Sequence, residues 1–489
     1  MKLLDCRWAI AAALVLPGAA SAHSFAPPYT LPVPFSLYAG GAAAALVLSF
    51  VIVGLFVGVP SLGQIRLPAA AAAAAVPRAG WGLRAARGLS LALLALCIAC
   101  GLLGSPNPYA NFNMTFFWIV FVLGVPYAVA VAGDFYAAVN PWKVLVRGIE
   151  SLRGRTFEGR VRYPQGLGYC PALLLYMGFI WLELFARLQP RGLALALAAY
   201  TVVNLAGAWL IGTRDWFRYG EFFAVFLRLM GKMSIWARPW DPEQAAQAAH
   251  GPRWRAPFRG LLEERADHLS LVLFVLFMLS STAFDGLHAT LPWVSVFWKE
   301  IYPSIAPLFS PAQGQQYALS TQLYYIWQWL SMLISPLAYL LVFVAFVAVA
   351  RRAARSTLGL HELVLRFGLS LVPIAFVYHV THYYTLLLAQ GGQIVRLVSD
   401  PLGFGWDLFG TGTWLIEPFV IDVEAIWHTQ VALILVGHIV SVYLAHVEAL
   451  QTFATPRRAA LSQLPILVLM VMFTTMGLWI LSLPLSPSS

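Results

Sequence analysis

Residues 325–355 read YIWQWLSMLISPLAYLLVFVAFVAVARRAAR, and this stretch decides the fold. Residues 325–350 contain no charged side chain. A bilayer core about 30 Å thick is crossed by about 20 helical residues, so the run is long enough to span with some tilt. A soluble core helix of that length would need a polar face, and none is present. Arg351, Arg352 and Arg355 follow at once, the sign of a helix whose end stays in the cytoplasm.

Outward from that run the pattern recurs. Apolar runs fall at about 36–59, 89–104, 114–132, 170–187, 193–212, 268–286, 361–389, 425–448 and 461–483, which with 325–350 predicts ten transmembrane helices. Of the 489 residues, 60% are hydrophobic and 11% charged, against roughly a quarter charged in soluble domains. The expected fold class is therefore all-α, a polytopic membrane helix bundle forming a single transmembrane domain over 23–489.

The first 22 residues read as a cleaved signal peptide. Lys2 and Arg7 precede a short apolar core, Pro17-Gly18 break it, and Ala20-Ser21-Ala22 supply an A-x-A site. Cleavage leaves His23 as an amino terminus outside the cytoplasm. With that start, segments 60–88, 133–169, 213–267, 351–360 and 449–460 fall inside, and all carry clustered Arg or Lys. The outer segments 105–113, 287–324 and 390–424 hold only Lys299 and Arg396 as bases. The expected location is a bacterial inner membrane, with both termini periplasmic. The net charge of +10 lies between spans, where it sets topology and meets anionic lipid, so the bilayer rather than nucleic acid is the partner. A second membrane subunit stays open.

Residues 216–236, WFRYGEFFAVFLRLMGKMSIW, are apolar but interrupted by Arg228 and Lys232. They predict an amphipathic helix on the inner surface, its basic face toward headgroups. A span here would reverse every later loop. The long outer segments are rich in Pro, Gly and aromatics and are expected to fold as caps. No internal repeat is evident, which argues against a transporter of inverted halves. Cys97 and Cys100 form a C-x-x-C inside a span, where cysteine serves as a small hydrophobe.

Ionisable side chains inside a bilayer are expensive, so their depth carries information. Glu183 and Asp285 lie near the outer ends of the fourth and sixth spans, and His428 lies just inside the ninth. At about 1.5 Å per residue, His382 sits roughly 10 Å and His379 roughly 15 Å below the outer end of the eighth. Three residues apart, these two share a helical face. Two imidazoles with a neighbouring carboxylate suit a divalent metal ion: zinc, manganese, cobalt or copper. The expected metal ligands are His379, His382, His428 and His23, with Glu183 or Asp285 orienting a water or acting as base. Against this stands a structural role, since a membrane histidine ordinarily bonds a carbonyl or tyrosine, and Tyr378, Tyr383 and Tyr384 are adjacent.

Several strings carry a resemblance: LPVPF (31–35), GDFYAAVNPWK (133–143), AFDGL (283–287), THYYTLLLAQGGQ (381–393), SDPLGFGWDLFGT (399–411) and QVALILVGHIVSVYLAHVEAL (430–450). With the WLEL around Glu183, they resemble the integral membrane family known as fenitrothion hydrolases, over nearly the whole chain. The resemblance implies hydrolysis of an aryl phosphorothioate ester to a nitrophenol and a dialkyl thiophosphate. A small apolar ester of this kind would partition into lipid. Trp406, Trp414, Trp427, Tyr383 and Tyr384 are then the expected partners of its aryl ring. No G-x-S-x-G, H-E-x-x-H or phosphate loop competes. Two other readings remain: a non-enzymatic copper or other metal-handling protein, and a haem-binding electron carrier with His379 or His382 facing His428 or His438.

Overall fold

The computed structural model describes residues 34–57, 80–241, 253–309, 315–414 and 422–483. The signal peptide, His23 and the alanine run 69–75 lie outside these residues. The structure is 78% helical with almost no strand; among the described residues, one antiparallel strand pair sets Trp236 and Ala237 against Trp254 and Arg253.

Among the described residues, ten helices are long and apolar enough to span. They are Phe35–Phe56, Trp81–Leu103, Phe112–Ala132, Gln165–Phe185, Pro190–Ile211, Leu269–His288, Gln316–Ala353, Leu360–Ser399, Glu424–Thr452 and Pro456–Ser482. All ten expected spans are present, and the protein is a multi-pass membrane protein. Helix starts follow local chemistry. Asn140 accepts from the Trp142 and Lys143 amides, and His268 and Thr455 cap their helices in the same way, satisfying donors that a helix leaves unpaired. Pro336 and Pro465 sit inside spans, where neighbouring helices compensate the lost hydrogen bond.

The sixth and eighth spans form the centre. Most of the sixth and eighth is buried, whereas the first keeps only Ala42 and Leu46 inside. Burial here is against protein; the faces left open, such as Leu341 and Val349 of the seventh span, are apolar and suit lipid. At the end that the charge pattern assigns to the outside, residues 399–414 form a turn-rich cap. Asp400 accepts from the Phe404 and Gly405 amides and Asp407 from Gly412. Pro401 and Leu402 carbonyls clasp the Phe112 and Ser105 amides.

Residues 216–236 depart from expectation. The helix there is Phe222–Gly231, ten residues and so about 15 Å long, too short to span. Yet its apolar face does not lie on lipid. Phe222, Phe223, Val225, Phe226, Leu227, Leu229 and Met230 are all buried, packed against Phe121, Tyr176 and Phe179 of the third and fourth spans. Nor do its cations form a free basic face. Arg228 lies over the Tyr169 ring and donates to the Arg218 carbonyl, and Lys232 pairs with Glu264. A helix apolar nearly all round is enclosed rather than laid on a surface.

Candidate functional site

Asp285, only 8% exposed, ends the long buried run of the sixth span. Its Oδ2 accepts two hydrogen bonds from one turn of the eighth: His382 Nε2 donates at 2.7 Å and Tyr383 Oη at 2.7 Å. Consecutive residues reach one carboxylate because they flank the face that packs on the sixth span. With Nε2–H committed to Asp285, the neutral ring keeps its lone pair on Nδ1.

Asp285 and Tyr383 of this cluster open on a narrow cavity. Glu183, Ser281, Thr282, Asp285, His379 and Tyr383 bring polar groups to its wall. The remainder is mainly aromatic: Phe121, Tyr176, Phe179, Phe222, Phe223 and Phe226. His379 lies edge-on to Tyr127, centroids 5.8 Å apart, and its Nδ1 is buried with no hydrogen-bond partner among the described residues. Two carboxylates, two imidazoles and a phenol thus meet inside the bundle, where burial strengthens electrostatic interactions.

Glu183, Asp285, His379, His382 and Tyr383 are therefore brought together. His428 is not. Its Nδ1 donates to the Glu424 carbonyl at 2.9 Å, and its Nε2 faces Tyr38 of the first span at 3.4 Å. Of the residues expected to meet an aryl ring, Tyr383 lines the cavity and the other four do not. Trp427 packs on Tyr38, Tyr384 donates to the Ile426 carbonyl, and Trp406 and Trp414 are 45% and 55% exposed on the cap. The rings at the cavity come instead from the third and fourth spans and from Phe222–Gly231. The continuous FFAVF of that short helix was the available signal, since it leaves no polar face. His288, beside the site, bonds the Asp285 carbonyl and stacks on Phe284.

Among the described residues, no group of three or more His, Cys, Asp or Glu is set to hold a metal ion. The cluster's donors face one another, Asp285 already holding His382. A separate polar cavity lies at the opposite end, lined by Asp134, Asn140, Lys143, Phe217 and Arg228. Burial there pushes the Asp134 carboxyl above its ordinary range. Comparison with protein families, with characterised proteins and with solved structures finds nothing similar to this chain.

Proposed function

We propose that this protein is a membrane-embedded hydrolase of apolar organophosphorus esters, with aryl phosphorothioates such as fenitrothion as the substrate class that the sequence resemblance implies. One observation carries the reading: His382 donates to Asp285, which with Tyr383 and Glu183 lines an aromatic cavity within the spans. Buried ionisable groups in spans are costly and mark functional sites.

In this reading Asp285 holds the His382 ring so that Nδ1 takes a proton from water. The water oxygen bonds to phosphorus, the phosphorus–aryloxide bond breaks, and the nitrophenolate leaves. The proton on His382 then passes to the departing phenolate, restoring the base. The phenylalanine rings take the aryl group. A divalent ion could be held here only if His382 left Asp285, and it would then supply a bound water with a pKa of around 7 in place of the imidazole base.

The test is purified protein in nanodiscs with an aryl phosphorothioate, followed by nitrophenol absorbance before and after a chelator. Turnover supports the hydrolase, and its loss to chelator with recovery on zinc, manganese, cobalt or copper assigns the ion. Copper bound without turnover, or a haem absorption band, would replace the proposal by one of the carrier readings.

A further inference from the structure

We infer that the cavity is entered sideways from the lipid, between the third and fourth spans, past the ring of Phe179. The inference rests on the reading of the cavity as a site for an apolar ester, and adds the route by which such a molecule arrives.

The cavity has four helical walls, and three seams between them are tied from inside. The third span meets the eighth through Tyr127, whose ring packs on Phe376 at 5.9 Å and His379 at 5.8 Å. The fourth meets the sixth through Tyr176, whose ring lies 5.1 Å from Phe274 and 5.0 Å from Phe277. The sixth meets the eighth through the hydrogen bonds of Asp285 to His382 and Tyr383. The floor is Phe222, Phe223, Phe226 and Leu227.

The seam between the third and fourth spans differs. The ring contacts described across it are Phe117 to Phe179, centroids 6.3 Å apart, and Trp118 to Phe179 at 5.7 Å. No described hydrogen bond crosses there. Phe179 also lines the cavity, so one ring separates the interior from the outer flank of the helix. That flank suits lipid: Leu174 is 67% exposed, and Gly178, one turn further on, is exposed too. A Cβ at Gly178 would meet nothing within 4 Å beyond its chain neighbours, so this flank of the fourth span is open on the lipid side.

The opposing wall is unusual as well. Residues Thr115–Gly124 of the third span form a ten-residue π-helix, a conformation that is rare and concentrates at functional sites. Its wider turn sets Phe117, Trp118, Phe121 and Val122 toward the cavity and its seam. A neutral ester dissolved among acyl chains would meet this seam directly, with no aqueous step in which to lose its hydrophobic stabilisation.

The experiment measures access, and turnover separately. Ser281, on the cavity wall, is changed to cysteine in the full chain, reconstituted in vesicles, and the labelling of the parent chain is subtracted. N-Cyclohexylmaleimide, which enters bilayers, is compared with a permanently charged methanethiosulfonate. The maleimide is expected to react faster, and its rate to rise severalfold with Phe179→Ala and fall severalfold with Gly178→Leu, while the charged reagent responds to neither. Thr282→Cys serves if Ser281→Cys does not fold. Equal labelling by the charged reagent, or a maleimide rate unmoved by both seam variants, overturns the route. If labelling follows the seam but the parent chain hydrolyses no ester, the route stands and the hydrolase reading falls.

Discussion

His382→Ala separates chemistry from scaffolding. In the native cluster the imidazole donates to Asp285 at 2.7 Å, and Tyr383 donates to the same oxygen. Removing the imidazole therefore leaves the carboxylate one donor rather than none, and the stability cost should stay within about 1–3 kcal/mol. If the ring only tied two helices, the loss would be smaller still, since hydrogen bonds between membrane helices average about 0.6 kcal/mol. A general base is worth far more in rate. Its removal costs roughly 10²–10⁴-fold, which at 1.36 kcal/mol per decade is about 3–5 kcal/mol of barrier. The expected result is a folded, inserted protein whose nitrophenol release has dropped by at least two orders of magnitude, about the lower end of that range. Added imidazole should restore part of the rate, because the truncated side chain leaves a space beside Asp285 for a replacement base. His361→Ala is the control, a histidine at the opposite, exposed end of the same span. The assay is turnover per folded molecule, with folding read from helical circular dichroism. Equal activity in the two variants, or loss in both that tracks misfolding, would refute the assignment of His382 as base.

Other consequences follow from packing, charge and topology. A methyl group at Gly477 would overlap the Tyr378 ring, whose hydroxyl donates to the Phe473 carbonyl at 2.7 Å; Gly477→Ala should cost about 1–3 kcal/mol of stability, read as a lowered thermal midpoint. Lys232 beside Glu264 holds that carboxyl below its ordinary value of 4.5. The pair therefore stabilises the fold above pH 4.5 and loses its contribution as pH falls through the lowered value, so Lys232→Met should flatten the acid limb of thermal midpoint against pH. With the charge pattern as guide, Leu408→Cys on the exposed cap should label from outside intact cells, and Thr357→Cys, between the seventh and eighth spans, only after permeabilisation. The reverse pattern would invert the proposed topology.

The ten spans were legible because one property, apolarity sustained over about 20 residues, decides them. Their ends were less so. The seventh helix begins at Gln316 rather than near Tyr325, because QYALSTQLY is polar and aromatic, suited to continue a helix past the hydrocarbon without registering as a span. Phe222–Gly231 was misread for the opposite reason. Arg228 suggested a polar face, yet the arginine is absorbed by Tyr169 and a carbonyl, leaving the rest of the helix to bury.

Within the site, depth could be counted along a helix and direction could not. Glu183, Asp285, His379, His382 and His428 all lie toward the same end of their spans, as residue counting predicts. A 3.6-residue period fixes which residues of one helix share a face, but not where that face points. His379 and His382 share a helix with Tyr383, so their grouping was readable from spacing alone. His428 stands on another helix, turned toward Tyr38, and only the packing of the first span against the ninth fixes that rotation. The same reason separates Trp406, Trp414 and Trp427 from the cavity, which is furnished by rings from helices that no local pattern links to Asp285.

In the proposed reaction, water activated at the Asp285–His382 pair attacks phosphorus within the bundle. The decisive measurement is hydrolysis of an aryl phosphorothioate by the purified protein in ¹⁸O-enriched water, read by mass spectrometry of both products. Attack at phosphorus places one ¹⁸O in the dialkyl thiophosphate and none in the nitrophenol. Label in the nitrophenol, or no product above the protein-free rate, would contradict it.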